Sequence, residues 1–88
     1  MKYKVVYEKK AVKSLVSIDK EQQKIIIAWV EKNLVHTDEP RKYGKSLKGA
    51  LKDYWRYRVG NYRLIASIDE KEVTILIVNV GHRKDIYR

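Results

Sequence analysis

The chain has 88 residues, 44% of them hydrophobic, which allows one domain, residues 1–88, with one modest core. It has no cysteine, so a disulfide framework and a thiolate zinc site are excluded, and no apolar run reaches the roughly 18 residues a membrane span needs. Twenty Lys and Arg against eleven Asp and Glu give a formal net charge of +9 and favour a phosphate backbone or an acidic partner. The default is a small reduced protein of the cytoplasm, away from membranes, since Met1 to Tyr7 is too short an apolar stretch for a signal segment.

Lys2 to Tyr7 reads as a first strand, with Tyr3, Val5 and Tyr7 on one face. Residues 8–17 predict a short helix, because Ala11, Val12, Leu15 and Val16 recur at spacings of three and four. Ser17, Ile18 and Asp19 break it. Asp19 then caps a second helix running to about Val35, with Gln22 three residues on completing a capping-box pattern. Ile25, Ile26, Trp29, Val30 and Leu34 form its apolar stripe. His36 stands at the helix C-terminus, where a cationic imidazole favours the dipole. His36 to Leu47 is a loop containing Pro40 and Gly44, and Leu51 is expected to anchor the next segment under the sheet.

Tyr54 to Arg63 carries the most information. Trp55, Tyr57 and Val59 alternate with Arg56 and Arg58, which is the mark of a strand with two different faces. Gly60 and Asn61 fit a two-residue type II′ hairpin turn, with Gly supplying the positive φ. Val59 then faces Tyr62 and Arg58 faces Arg63, so Arg56, Arg58 and Arg63 project from one side of the sheet. Residues 41–63 hold eight basic side chains (Arg41, Lys42, Lys45, Lys48, Lys52, Arg56, Arg58, Arg63) and one acid, Asp53. The return strand runs from Tyr62 to Ile68, and Asp69, Glu70 and Lys71 turn the chain. Glu72 to Val80 is apolar on both faces, as a central strand is, and Gly81 is expected to end it. The reading is an α+β domain of order β-α-α-β-β-β: a helical hairpin packed on a four-stranded, mainly antiparallel sheet. The place of the first strand in that sheet stays open.

The sequence offers no nucleophilic triad, no glycine-rich phosphate loop and no acid pair at useful spacing. No cofactor and no metal are called for. A cationic face with Tyr and His nearby suits metal-free phosphodiester chemistry on RNA, in which the 2′-hydroxyl is the nucleophile and guanidinium forks hold the phosphate oxygens. Lys45, Lys48, Lys52, Lys84 and Arg88 are the further candidates for binding the RNA backbone.

Tyr57–Leu64 (Tyr-Arg-Val-Gly-Asn-Tyr-Arg-Leu), the hydrophobic strand after the acidic turn, and Val80–Tyr87 (Val-Gly-His-Arg-Lys-Asp-Ile-Tyr) together resemble the RelE/ParE toxin superfamily, nearer its RelE branch. The resemblance implies the toxin of a type II toxin–antitoxin system. Its activity would be ribosome-dependent endonuclease cutting of mRNA in the A site, against 16S rRNA, with silencing by a cognate RelB-like antitoxin. By the same resemblance Arg56, Arg58, Arg63 and Arg83 bind and polarise the scissile phosphate, and Tyr87 orients or activates the attacking hydroxyl. His82 takes a position that some members fill with a basic residue, which implies a proton-transfer candidate. Arginine stands at 56 and 58 where some members have lysine, and arginine hardly deprotonates. Two other readings stay open: a ParE-like inhibitor of DNA gyrase, and a non-catalytic basic module that binds RNA.

Overall fold

The β-branched run that closes the chain explains the sheet. In the computed structural model, which describes residues 1–82, that run is β5 (Thr74–His82), and it is paired on both sides. On one side lies β4 (Tyr62–Asp69), antiparallel; on the other lies β1 (Lys4–Tyr7), parallel. A strand flanked on both edges and covered by helices needs apolar side chains, and Ile75, Ile77 and Val80 are almost wholly buried. β3 (Trp55–Val59) follows β4, and the two-residue strand β2 (Lys45–Ser46) closes the far edge, giving the order β1-β5-β4-β3-β2.

Among the described residues the sheet therefore has five strands rather than the expected four. β2 escapes sequence reading because two polar residues in a loop show no periodicity. β1 lies at the edge beside β5, the placement that the sequence left open, and it makes the only parallel pair among the described residues. Several boundaries also shift. β5 does not stop at Gly81, because Gly81 and His82 go on pairing with Arg63 and Tyr62. β1 begins at Lys4, two residues later than expected.

α1 (Lys9–Val16) and α2 (Lys20–Asn33) cover one face of this sheet. Ala11 and Leu15 from α1 and Ile26 and Val30 from α2, with Leu34 just beyond, meet Tyr57, Val59, Leu64, Ala66, Ile75, Ile77 and Val80 from the strands. The expected stripe is wider than the buried one: Val12, Val16 and Ile25 are exposed, because each helix rests only a narrow arc on the sheet. Asp19 takes the N-cap position of α2, but its side chain makes no cap bond, so the capping box does not form. Gln23 ties the helix–helix turn instead, donating from Nε2 to the carbonyls of Ile18 (2.5 Å) and Val16 (3.3 Å).

Beyond α2, His36 adopts a left-handed φ of 64°. Its N–H donates to Tyr3 O at 2.9 Å, and Tyr3 N–H donates to Thr37 O at 2.8 Å, so the helix exit is fastened to the entry of β1. The following loop is fastened from below by aromatics. The buried Tyr57 hydroxyl donates to Pro40 O at 2.5 Å, and Trp29 packs edge-on against Tyr43 and at a tilt against Tyr57. Leu51, expected under the sheet, is exposed on a 3-10 turn (Gly49–Leu51), because the loop is held by Tyr57 and Trp55 instead.

One irregularity sets which residues face where. Ile65 pairs with Asn79, but Ala66 pairs with Ile77, so Val78 is an extra residue in β5. A bulge of this kind shifts the alternation by one position. Ile75, Ile77 and Val80 consequently all reach the core, while Asn79 and Gly81 fall on the opposite face.

Candidate phosphate-binding face

That opposite face carries the arginines, and the hairpin is what gathers them. Gly60 has φ +59° and Asn61 is not among the positive-φ residues, as a type II′ turn requires. The register is the expected one: Val59 pairs with Tyr62, and Arg58 with Arg63. Paired residues of antiparallel strands share a face, with Cα atoms about 4.5–5.5 Å apart. Arg56 pairs with Ile65 on one side and with Lys45 of β2 on the other. Lys45, Arg56, Arg58 and Arg63 therefore belong to one face, away from the helices.

The four cations are not equally exposed. Arg58 and Lys45 are exposed and Arg56 is half-buried, whereas Arg63 retains only 7% of its surface. A guanidinium held that deeply needs acceptors around it; one is the carbonyl of Tyr62, which receives a bond from Nη1 at 3.3 Å. Gly81, opposite Arg63, adds no side chain beside it. The face thus presents a buried cation beside an exposed one.

His82 is not brought to this face. It pairs with Tyr62, on the side that carries Val59 and the helices, and the two rings meet edge-on with centroids 5.6 Å apart and planes at 80°. His82, the proton-transfer candidate that the resemblance implies, thus stands on the other side of the sheet from Arg56, Arg58 and Arg63. Lys48 is exposed beside the 3-10 turn, and Lys52 lines a cleft on the other side of the sheet edge. Arg83, Lys84, Tyr87 and Arg88 lie outside the described residues.

Tyr57 and Tyr7 are both held protonated by burial. Burial pushes the Tyr57 phenol far above its ordinary value of 10.0, only partly opposed by Arg41, so it stays protonated and serves the loop. Tyr7 is raised as well, by burial first and by Glu31 second. Among the described residues, no three His, Cys, Asp or Glu side chains are grouped as metal ligands, and no helix is long and apolar enough to cross a membrane.

Sequence reasoning missed the cleft behind β2, of about 250 Å³, in which Trp55 and Arg41 stand together. Trp55 was readable as a member of the alternating strand, but its pairing with Arg41 depends on the loop geometry around Gly44.

Comparison with known proteins places this geometry in context. Residues 5–87 match the family model described as the ParE toxin of the type II toxin–antitoxin system parDE. Toxin RelG of Mycobacterium tuberculosis is 44% identical over 50 residues, which is 57% of this chain and 58% of that toxin, so the match spans under two thirds of the relative's length. In structure, the chain is similar to the toxin–antitoxin complex RelBE2 from Mycobacterium tuberculosis, with a TM-score of 0.85 and 28% identity over 94% of this chain and 100% of the other. It is also similar to the archaeal RelE–RelB complex from Pyrococcus horikoshii, with a TM-score of 0.71 and 27% identity over 97% and 99% of the two chains.

Proposed function

We propose, from the premise that this chain belongs to the ParE toxin family of type II toxin–antitoxin systems within the RelE/ParE superfamily, that it halts translation in the cytoplasm by cutting mRNA in the ribosomal A site. The observation that carries the reading is the convergence of Lys45, Arg56, Arg58 and Arg63 on the face that the helices leave open. In the reaction the 2′-oxygen attacks phosphorus, the bond from phosphorus to the 5′-oxygen breaks, and a 2′,3′-cyclic phosphate and a 5′-hydroxyl result. One proton leaves the attacking hydroxyl and one reaches the departing oxygen, so no water or metal is consumed. Arg58 and Arg56 bind the non-bridging oxygens. Arg63, already fixed by burial, stabilises the charge that grows on them without having to reorganise. Arg83 and Tyr87 complete the site by family resemblance. The cognate antitoxin would be RelB-like, since the similar structures from M. tuberculosis and P. horikoshii are toxin–antitoxin complexes.

The match to a ParE family model favours a second reading, inhibition of DNA gyrase without chemistry. Primer extension on mRNA after brief induction separates the two. Cuts that follow the reading frame, reduced about 100-fold or more by Arg58→Ala, are the expected result. Inhibition of purified gyrase in a supercoiling assay, with mRNA intact, would support the second reading instead.

A further inference from the structure

We infer that the cleft behind β2 is a nucleobase subsite for the same RNA, and this rests on the reading just given. Lys45 and Ser46 are consecutive residues of an edge strand only two residues long. Lys45 shares a face with Arg56, and Ser46 shares the opposite face with Trp55. A strand of RNA leaving the arginine face over this edge meets the Trp55 indole next.

The indole is ready for it. Its N–H donates to Tyr43 O at 2.6 Å, which fixes the ring plane before any ligand arrives. Flat aromatic and guanidinium surfaces stack unpaired bases. The Arg41 guanidinium stands 5.9 Å from the indole centroid and is tethered to Glu70 at 3.2 Å. Both members of that ion pair are largely exposed (47% and 69%), so it is weakly held, and Arg41 can swing aside and close over a base. Lys52 lines the cleft as a cation for the adjoining phosphate, and Asp53 lines it as an acceptor for an amino or imino edge. The ligand class is a single-stranded ribonucleotide. A base offers the Trp55 indole a flat surface and Asp53 an amino or imino donor edge, whereas the carboxylates of an acidic peptide offer neither.

The test uses Trp29→Phe protein, in which Trp55 is the only indole, titrated at low salt with a single-stranded RNA heptamer. Saturable quenching of Trp55 is expected, with binding weakened at least fivefold by Lys52→Ala and much less by Lys24→Ala, which removes the same charge from the exposed side of α2, outside the cleft. Photocross-linking of thiouridine RNA in the native sequence, mapped to residues 41–55, gives the same answer without the Trp29 change. The inference is overturned by absent quenching and cross-linking, by equal weakening in the two lysine variants, or by an acidic peptide quenching as well as RNA. Normal mRNA cutting with no signal at Trp55 refutes this subsite alone. A Trp55 signal with no mRNA cutting refutes the proposed function alone.

Discussion

Gly44→Ala is expected to damage the protein more than its position in a surface loop suggests. Gly44 sits at φ +82°, and a Cβ added there would lie 2.1 Å from the carbonyl oxygen of Arg56 and 2.9 Å from Trp55 Nε1. The near atom is backbone in the middle of β3, so it cannot rotate away. The loop must lift. Three costs add: a left-handed alanine, about 1–2 kcal/mol; the Trp55–Tyr43 hydrogen bond, about 1 kcal/mol; and weakened pairing of β2 with β3, about 1 kcal/mol more. The sum, about 3–4 kcal/mol, is a large part of the 5–15 kcal/mol typical of a small domain. Urea unfolding followed by indole fluorescence measures it. Gly49→Ala is the control: its φ is +66°, but nothing lies within 4 Å of an added Cβ, so only the backbone strain of about 1–2 kcal/mol applies. Equal losses in the two variants would refute the claim that close approach to Arg56 is what requires glycine at 44.

Other perturbations test the placement of single groups. Arg58→Glu replaces a like-charge cross-strand pair with an opposite one; it is expected to stabilise the fold by about 0.2–1 kcal/mol at low salt, with the gain fading in 1 M salt, while mRNA cutting is lost. A thermal melt at two ionic strengths reads the first effect and primer extension the second. His82→Ala should leave cutting unchanged and cost stability of roughly 0.5–1.5 kcal/mol through the lost Tyr62 contact, because the imidazole lies on the helix-bearing side; a collapse of cutting with the fold intact would reverse that assignment. Tyr57→Phe should cost about 1 kcal/mol near neutrality by orphaning Pro40 O. Because the folded phenol ionises at higher pH than the unfolded one, its contribution is complete below pH 10 and declines as pH rises above it. Alkaline melts of the wild type should therefore steepen above pH 10 relative to Tyr57→Phe, and parallel curves would contradict the burial.

The hairpin was the most legible part of the chain. Its turn, register and arginine face follow from two local facts, a glycine that tolerates positive φ and side chains that alternate in direction. The helices were legible as elements, but their buried arcs were not: periodicity shows that Val12 and Ile25 lie near the apolar stripe, and only tertiary packing decides that Ala11 and Ile26 are the ones covered. β2 and the seat of Trp55 depend on a loop closing onto a distant strand, which no local pattern encodes. The side that His82 takes was not legible, because alternation along an apolar run holds only for an unbroken strand, and this one carries Val78 out of step.

That single out-of-step residue divides β5 into two territories with separate obligations. Before it, Ile75 and Ile77 answer to the helices; after it, Val80 still does, while Asn79 and Gly81 share the face of Arg63. Pairing Val78 into the ladder without a bulge would exchange the two sets, sinking Asn79 among aliphatic groups and lifting Val80 beside the buried guanidinium, whereas deleting Val78 would restore a regular ladder with both sets facing as they do now. Loss of the bulge with the residue retained would thus disturb packing and the arginine-bearing face at once, whereas loss of the residue itself would leave both nearly untouched.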